Sequence, residues 1–469
     1  MRHLEEYIVM KDDAKRIALL RGDPKKSVMQ IALPVMVTMI FTSLYNVIDG
    51  IWIAGLGNSA LAGIGIVTPL WMIINGVSNG LAHGATSTIS RYAANDKEKA
   101  QKAAEHAIMV SLTGALLLTG LLTGALFPYL TLYDIESDTR HEAICYSIPL
   151  FLGLSTHALS CGLAGILRAE GDTKRPMYAI TTGVVLNALL DPVFIYVLGW
   201  GSAGAAISTI VTTMLSACMM FYWIFVMKKS YLRLRLGNIA RRHYDKEIIN
   251  DILKTGIPAS FELLMLSLAS VLFYSFISAV GGDQGAAIYS SGYRLYLIDL
   301  MPISSISLAS IAIFGTHYGA KNPIYLRRTH TYCCMYAFII ALVTTLLINL
   351  FPHEFASLFA LTSDDTQLID GISHFIRITA FCMPFLALGL PSTFMYLGLG
   401  KGKMSLMWTT INEIVCAVPA TYILGVVMGY GLTGIWLGFV VGRGIACTCN
   451  FCVSRYYLRR LEREMTAKT

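Results

Sequence analysis

The sequence predicts an all-α membrane protein, twelve transmembrane helices in two six-helix bundles related by a pseudo-two-fold axis along the membrane normal. Three observations predict it. Hydrophobic residues make up 55% of the chain and charged residues 14%, where soluble domains carry about 25% charge. Its apolar runs are long enough to cross hydrocarbon, which takes about 20 helical residues. The second half of the chain also repeats the first. Mean hydropathy is +0.60. Ten-residue blocks of alternating polarity are absent, which argues against a membrane β-barrel.

Residues 1–27 read as a cytoplasmic segment. "MRHLEEYIVMKDDAKR" mixes acids and bases without an apolar core ahead of a cleavage site, so a short amphipathic helix is expected rather than a signal peptide. Apolar runs between polar or glycine breaks then give spans at 28–54, 60–82, 104–127, 143–166, 177–198 and 203–227, an N-lobe over 28–227. A basic cytoplasmic linker, 228–254, leads to a C-lobe over 255–454, with spans at 256–280, 285–315, 331–352, 371–398, 404–428 and 433–454. Residues 455–469 form a cytoplasmic tail.

Orientation follows from lysine and arginine placement. With the N-terminus inside, the segments 1–30, 91–106, 165–178, 228–254, 316–332, 401–404 and 455–469 hold 32 of the 36 Lys and Arg residues. The outside loops hold only Arg140, while Arg294, Arg377 and Arg443 lie within spans. Both termini are therefore expected in the cytoplasm of a multi-pass cell (inner or plasma) membrane protein. The net charge of +7 is accounted for by this bias, and no nucleic-acid partner is expected. None of the ten cysteines lies in a predicted external loop, so disulfides are not expected. The cluster Cys447, Cys449 and Cys452 reads as packing residues rather than a metal site.

The repeat is marked by Pro34 and Pro258, 224 residues apart, by Gly57 and Gly281, and by "LFP" at 126–128 and 350–352. Pro149 pairs with Pro384, Gly171 with Gly400, Pro192 with Pro419 and Gly204 with Gly434 after small loop indels. An even number of spans per half inserts both halves the same way up. Two bundles with a cavity between them, able to rock, suit alternating access.

A charge at mid-bilayer costs about 2.5–3.5 kcal/mol on insertion scales, so such residues face an interior or a wet cavity. Asp49 lies six residues before Gly55, Asp191 eight before Gly199, and Thr209 five after Gly204. At about 1.5 Å per residue these depths agree within roughly a turn. Asn187 is one turn before Asp191 and shares its face. Pro192, lacking an N–H, leaves the carbonyl of Ala188 free. The expected cluster offers two carboxylates, an amide, a hydroxyl and a carbonyl. Two close acids in a poorly hydrated place do not both ionise, so one is expected to hold a proton; Na⁺ favours the same oxygens. Hydrogen bonding across a packed interface is the competing reading. Structural glue would be duplicated by the repeat, however, and the second-half equivalents are about Phe273 and Val418.

The second half has its own charges. Glu413 and Arg443 sit at middle depth on neighbouring spans and read as a neutralising ion pair. Glu262 and Asp299 read equally as an acidic wall for a cationic substrate or as structural groups, with Arg294 as partner to Asp299. His157, alone in an apolar span, reads as a packing residue.

Together "LRGDPKKSVMQIALPVM", "SLYNVIDGIWIAGLG", "GILRAEGDTKRPM" and "LNALLDPVFIYVLGWGSAGAA" resemble the multidrug and toxic compound extrusion (MATE) family, closest to its prokaryotic DNA-damage-inducible-F-like branch. The resemblance covers nearly the whole chain. It implies cation-coupled (H⁺, Na⁺ or both) antiport of organic, often cationic, drugs or metabolites out of the cell. It implies that Asp49, Asn187, Asp191 and Thr209 match the cation site of the first lobe and that Tyr45 and Tyr146 match tyrosines beside it. Two departures stand out. An asparagine of the fourth span is Cys161 here. A glutamate that other branches carry two turns past the seventh-span proline is Leu266 here, with Glu262 one turn earlier.

The expected function is a drug antiporter, not an enzyme, with no cofactor beyond the coupling H⁺ or Na⁺. Its expected partners are an organic cation or other amphipathic small molecule and membrane lipid, and the chain is expected to be monomeric. A lipid or lipid-linked oligosaccharide flippase would want strongly basic cavity walls, and the three arginines within spans all lie in the second half. A channel is served less well by acids confined to one half. An intramembrane enzyme is disfavoured because no Gly-x-Ser-x-Gly, His-Glu-x-x-His or Walker motif is present.

Overall fold

A computed structural model describes residues 16–133, 135–234, 237, 244–357 and 366–467. The first fifteen residues, part of the basic linker, most of the acidic loop before residue 366 and the last two residues lie outside the described residues, as does the amphipathic helix expected at the N-terminus. Among the described residues the chain is helical throughout, with no strand.

Among the described residues nine helices are each long and apolar enough to cross a bilayer. Two more spans are bent pairs, Ser137–Leu152 with Leu154–Ala169 (47°) and Thr366–Ala380 with Cys382–Gly398 (48°). They are the fourth span of each half. Proline is the local cause: Pro149 precedes the first break by four residues and Pro384 follows the second by three. The helix Lys246–Gly319 has 74 residues, about 110 Å as a single rod. It breaks at Gly282 (φ 57°, ψ −150°) and so contains the seventh and eighth spans, which completes the twelve.

The helices outrun their apolar stretches. The second span is Asn58–Ala93, the third Lys97–Thr131 and the twelfth Gly431–Thr466. Hydropathy marks the hydrocarbon layer, whereas the helices continue into the polar zone, where Lys and Arg reach water.

Grouped by contact, the chain makes two compact units. One contains Met1–Gly22 and Val37–Leu263, the other Asp23–Met36 and Leu264–Thr469. The first unit has a core around Ile89, Leu163, Leu167, Met220, Ile248 and Ile252 and another around Ile74, Leu126, Phe151 and Leu154. The second is built round Phe314, Met395, Tyr396, Trp408 and Leu458.

The repeat is visible bond by bond. "GWG" and "GYG" turn the chain between the last two spans of each half, with Gly199 and Gly201 at φ 67° and 56° and Gly429 and Gly431 at 72° and 64°. Glycine alone enters that region freely. Trp200 N–H bonds to Phe194 (3.1 Å) as Tyr430 bonds to Leu424 (3.3 Å), and Leu198 to Val193 (2.9 Å) as Met428 to Ile423 (2.8 Å). The residues just before each turn, Val193–Val197 and Ile423–Val427, wind as π-helix.

One polar cluster departs from the repeat. At the end of the fourth span, Glu170 is buried and accepts from Ser230 Oγ (2.5 Å), Leu232 N–H (3.2 Å) and Tyr231 N–H (3.1 Å). Next to it Asp172 pairs with Arg16 (3.4 Å) and Arg175 (3.2 Å). The start of the linker is thereby pinned to the loop after the fourth span. Glu170→Ala is expected to leave buried donors without an acceptor and to lower stability by about 2–4 kcal/mol, read from the unfolding midpoint in detergent. Burial pushes the Glu170 carboxyl up from 4.5 to about 7, against the pull of its three donors. A raised value means the folded protein prefers the protonated acid. That stability is full below 4.5 and is lost as pH rises through about 7. Between these limits the wild-type midpoint should fall with pH more steeply than that of Glu170→Gln.

Candidate functional site

The predicted first-lobe residues come from four spans. Tyr45 and Asp49, one turn apart in Pro24–Ala54, share a face of the first span. Tyr146 is on the first segment of the fourth span. Asn187 and Asp191 lie on the fifth span, Lys174–Pro192, and Thr209 on the sixth, Gly201–Phe221. The structure brings them together. Tyr45 and Thr209 hydroxyls are 3.2 Å apart. Asn187 Nδ2 donates to Asp191 Oδ1 (3.1 Å) and to Ser208 Oγ (2.7 Å). Asp191 is fully buried, and its carboxyl meets that of Asp49 directly. Tyr146 is an electrostatic neighbour of both acids and of Tyr45.

Three oxygens of this group, Asp49 Oδ1, Asp191 Oδ2 and Asn187 Oδ1, are buried and receive no hydrogen bond. All three can only accept while the acids are ionised. Two adjoining carboxylates with surplus acceptors can hold a proton shared between them or a small hard cation. The Pro192 ring supplies no N–H, and the N–H of Val193 bonds to Leu190 rather than to Ala188. Isoleucine and alanine (Ile53, Ile195 and Ala205) form a small dry cluster within the same three spans.

Ser208 is the member that the depth argument missed. Its signal is a stripe of small residues at four-residue spacing, Gly204, Ser208, Thr212 and Ser216, all buried. That face lies against the fifth span: Ser216 Oγ donates to Ala179 (2.9 Å), and a Cβ on Gly183 would sit 2.9 Å from the Thr212 carbonyl. Close approach of the two helices is what lets Asn187 reach Ser208.

In the second unit Arg443 Nη2 donates to Glu413 Oε2 (2.6 Å), both groups buried. Arg443 also donates to the Tyr296 hydroxyl, and its guanidinium lies 3.7 Å from the Phe439 ring centre. Asn412 donates to the other Glu413 oxygen (2.9 Å). Phe273, the repeat equivalent of Asp49, packs edge-on to Phe439. Asp299 is buried, with Thr344 beside it, whereas Arg294 is exposed. Among the described residues these two form no ion pair, because a five-residue spacing sends their side chains to different faces. Glu262 falls in the first unit and Asp299 in the second. His157 packs at a tilt against Trp71 (ring centres 5.1 Å apart) and touches Cys161 (3.7 Å). Cys447 is buried against Asn412 (3.6 Å), while Cys449 and Cys452 are exposed.

Residues 34–193 and 258–423, corresponding stretches of the two halves, match the MatE family model. The chain belongs to the MATE family. It is 24% identical over 428 residues to the probable multidrug resistance protein NorM of Thermotoga maritima, with 89% of each chain covered. Among solved structures it resembles a crystal structure of MATE in complex with MaL6 (TM-score 0.92, 32% identity, 96% of this chain and 99% of that one). It also resembles a MOP superfamily transporter from Pyrococcus furiosus whose binding pocket is described as of reverse polarity (TM-score 0.91, 33% identity, with the same coverage). This MATE protein is thus a multi-pass membrane transporter of a multidrug efflux family and not an enzyme, with the twelve-helix, two-bundle fold of that family.

Proposed function

We propose that this MATE protein exports organic, cationic or amphipathic compounds in exchange for a proton or Na⁺ bound between Asp49 and Asp191. The observation that carries the reading is the buried, acceptor-only group of Asp49 Oδ1, Asp191 Oδ2 and Asn187 Oδ1. Such a group is stable only with a positive charge among its oxygens. Gaining or losing that charge changes the electrostatic balance of the first, fifth and sixth spans at once. A coupling ion can therefore bias a two-state packing by its differential affinity. Of the three arginines within spans that a flippase would use, Arg443 is already engaged by Glu413.

The test is transport by purified protein in liposomes loaded with a fluorescent organic cation, with H⁺ and Na⁺ gradients imposed separately. Export is expected to follow at least one gradient. Equal rates with and without both gradients would overturn the reading.

A further inference from the structure

A basic recess lies in the second unit, at the end of the ninth and twelfth spans that the Lys and Arg distribution assigns to the cytoplasm. It measures about 360 Å³ and is lined by Arg327, Arg328, Thr331, Tyr332, Arg455 and Arg459. Helical spacing makes this wall: Arg328, Thr331 and Tyr332 recur at three and four residues along Pro323–Leu350, and Arg455 and Arg459 at four along Gly431–Thr466. Four guanidiniums face one acid. Arg327 pairs with Glu462 (3.1 Å). Among the described residues Arg328, Arg455 and Arg459 have no carboxylate partner. Arg455 instead donates to Thr331 Oγ1 (2.6 Å), and Arg328 lies over the Tyr325 ring (5.8 Å). Guanidiniums held this way present paired N–H groups suited to phosphate oxygens.

The next cavity shares two of these residues. It measures about 280 Å³ and is lined by Thr331, Arg455, Met335, Phe338, Leu388 and Phe451, with Cys334. Deeper along the same two helices, therefore, the arginine wall gives way to an apolar trough. Phe451 is held there by stacking on His330 (5.5 Å), which is hydrogen-bonded to Ser392 (2.9 Å). A free anion would use only the first cavity. A ligand matching both carries an anionic head on an apolar chain, and a phosphate suits paired guanidiniums.

We propose that this composite cavity binds one anionic phospholipid, its phosphate on Arg455, Arg459 and Arg328 and an acyl chain in the Met335–Phe338–Phe451 trough. Basic pockets between spans on the cytoplasmic side suit such headgroups. The site uses none of the coupling residues, so it stands apart from the antiport reading.

The test is native mass spectrometry of the whole protein in neutral detergent, titrated with phosphatidylglycerol. Wild type is expected to retain one lipid. Arg455→Gln/Arg459→Gln is expected to bind it about tenfold or more weakly, from the loss of two headgroup charges. Arg460→Gln, on the adjoining face where it pairs with Glu464, is expected to bind as wild type does. Thr331→Trp, at an exposed position that lines both recesses, should fill the junction without altering charge and lose the lipid too, which decides the matter if the double variant does not fold. Inorganic phosphate in large excess is expected not to displace the lipid. Equal retention by the double variant and the Arg460 control would overturn the proposal. So would displacement by phosphate, which would make this a free-anion site.

Discussion

Asp191→Asn is expected to uncouple the transporter while leaving it folded. Asparagine keeps the shape and one acceptor oxygen but adds an N–H donor beside Asp49, whose Oδ1 lacks one. One negative charge is then gone from the group, as it is when a proton or cation is bound, and the ion loses most of its differential affinity for the two packings. Coupling free energies of about 1–3 kcal/mol correspond to roughly 5–150-fold, so gradient-driven export should fall at least about tenfold. The unfolding midpoint should hold or rise, since a buried orphan acceptor gains a partner. Asp49→Asn should behave in the same way. Ser208→Ala tests the scaffold: it removes the oxygen that accepts from Asn187 (2.7 Å) and should weaken coupling less than either acid variant. Full driven transport by both asparagine variants would remove the coupling role of the pair.

Much of this was legible in the sequence because the bilayer imposes a simple grammar. Apolar length gave the spans, the Gly-x-Gly pairs gave the turns, and depth counted from those turns placed Asp49, Asp191 and Thr209 at one level. Depth says nothing of azimuth. Thr209 and Ser208 are one residue apart and at the same height, yet Thr209 meets Tyr45 while Ser208 meets Asn187. Only the four-residue stripe through Gly204 and Ser216 distinguishes the two faces. The same blindness joined Arg294 to Asp299 on proximity in sequence. Hydropathy also does not see which neighbours a helix end keeps. Residues 23–36 of the first span group with the second unit, and the start of the seventh, as far as Leu263, with the first. The π-helical turns after Pro192 and before Gly429 leave no mark in composition at all.

The two halves solve one electrostatic problem in opposite ways. Across its first and fifth spans the first unit holds two acids whose surplus oxygens receive no hydrogen bond. Between its eleventh and twelfth spans, the second unit supplies its own cation, the guanidinium of Arg443 against Glu413. A pair that is already neutral offers a coupling ion no such affinity.

This asymmetry makes Glu413→Gln the expected severe stability variant. It would leave the Arg443 guanidinium buried, with the Tyr296 hydroxyl and the faces of Phe439 and Tyr296 as its company. Cation–π contact returns about 2 kcal/mol or somewhat more at a desolvated site, whereas removing one partner of a buried pair costs about 3–5 kcal/mol. Arg443→Met should cost a similar amount, by stranding Glu413 with only Asn412 as donor. The double variant Glu413→Gln/Arg443→Met should recover most of the loss, since a buried pair exchanged for neutral groups of like size is often close to neutral in stability. Unfolding midpoints of the four proteins in detergent close the cycle. Were the pair instead a substrate-binding group, both single variants would lose export with little change in midpoint, and the double variant would not regain it.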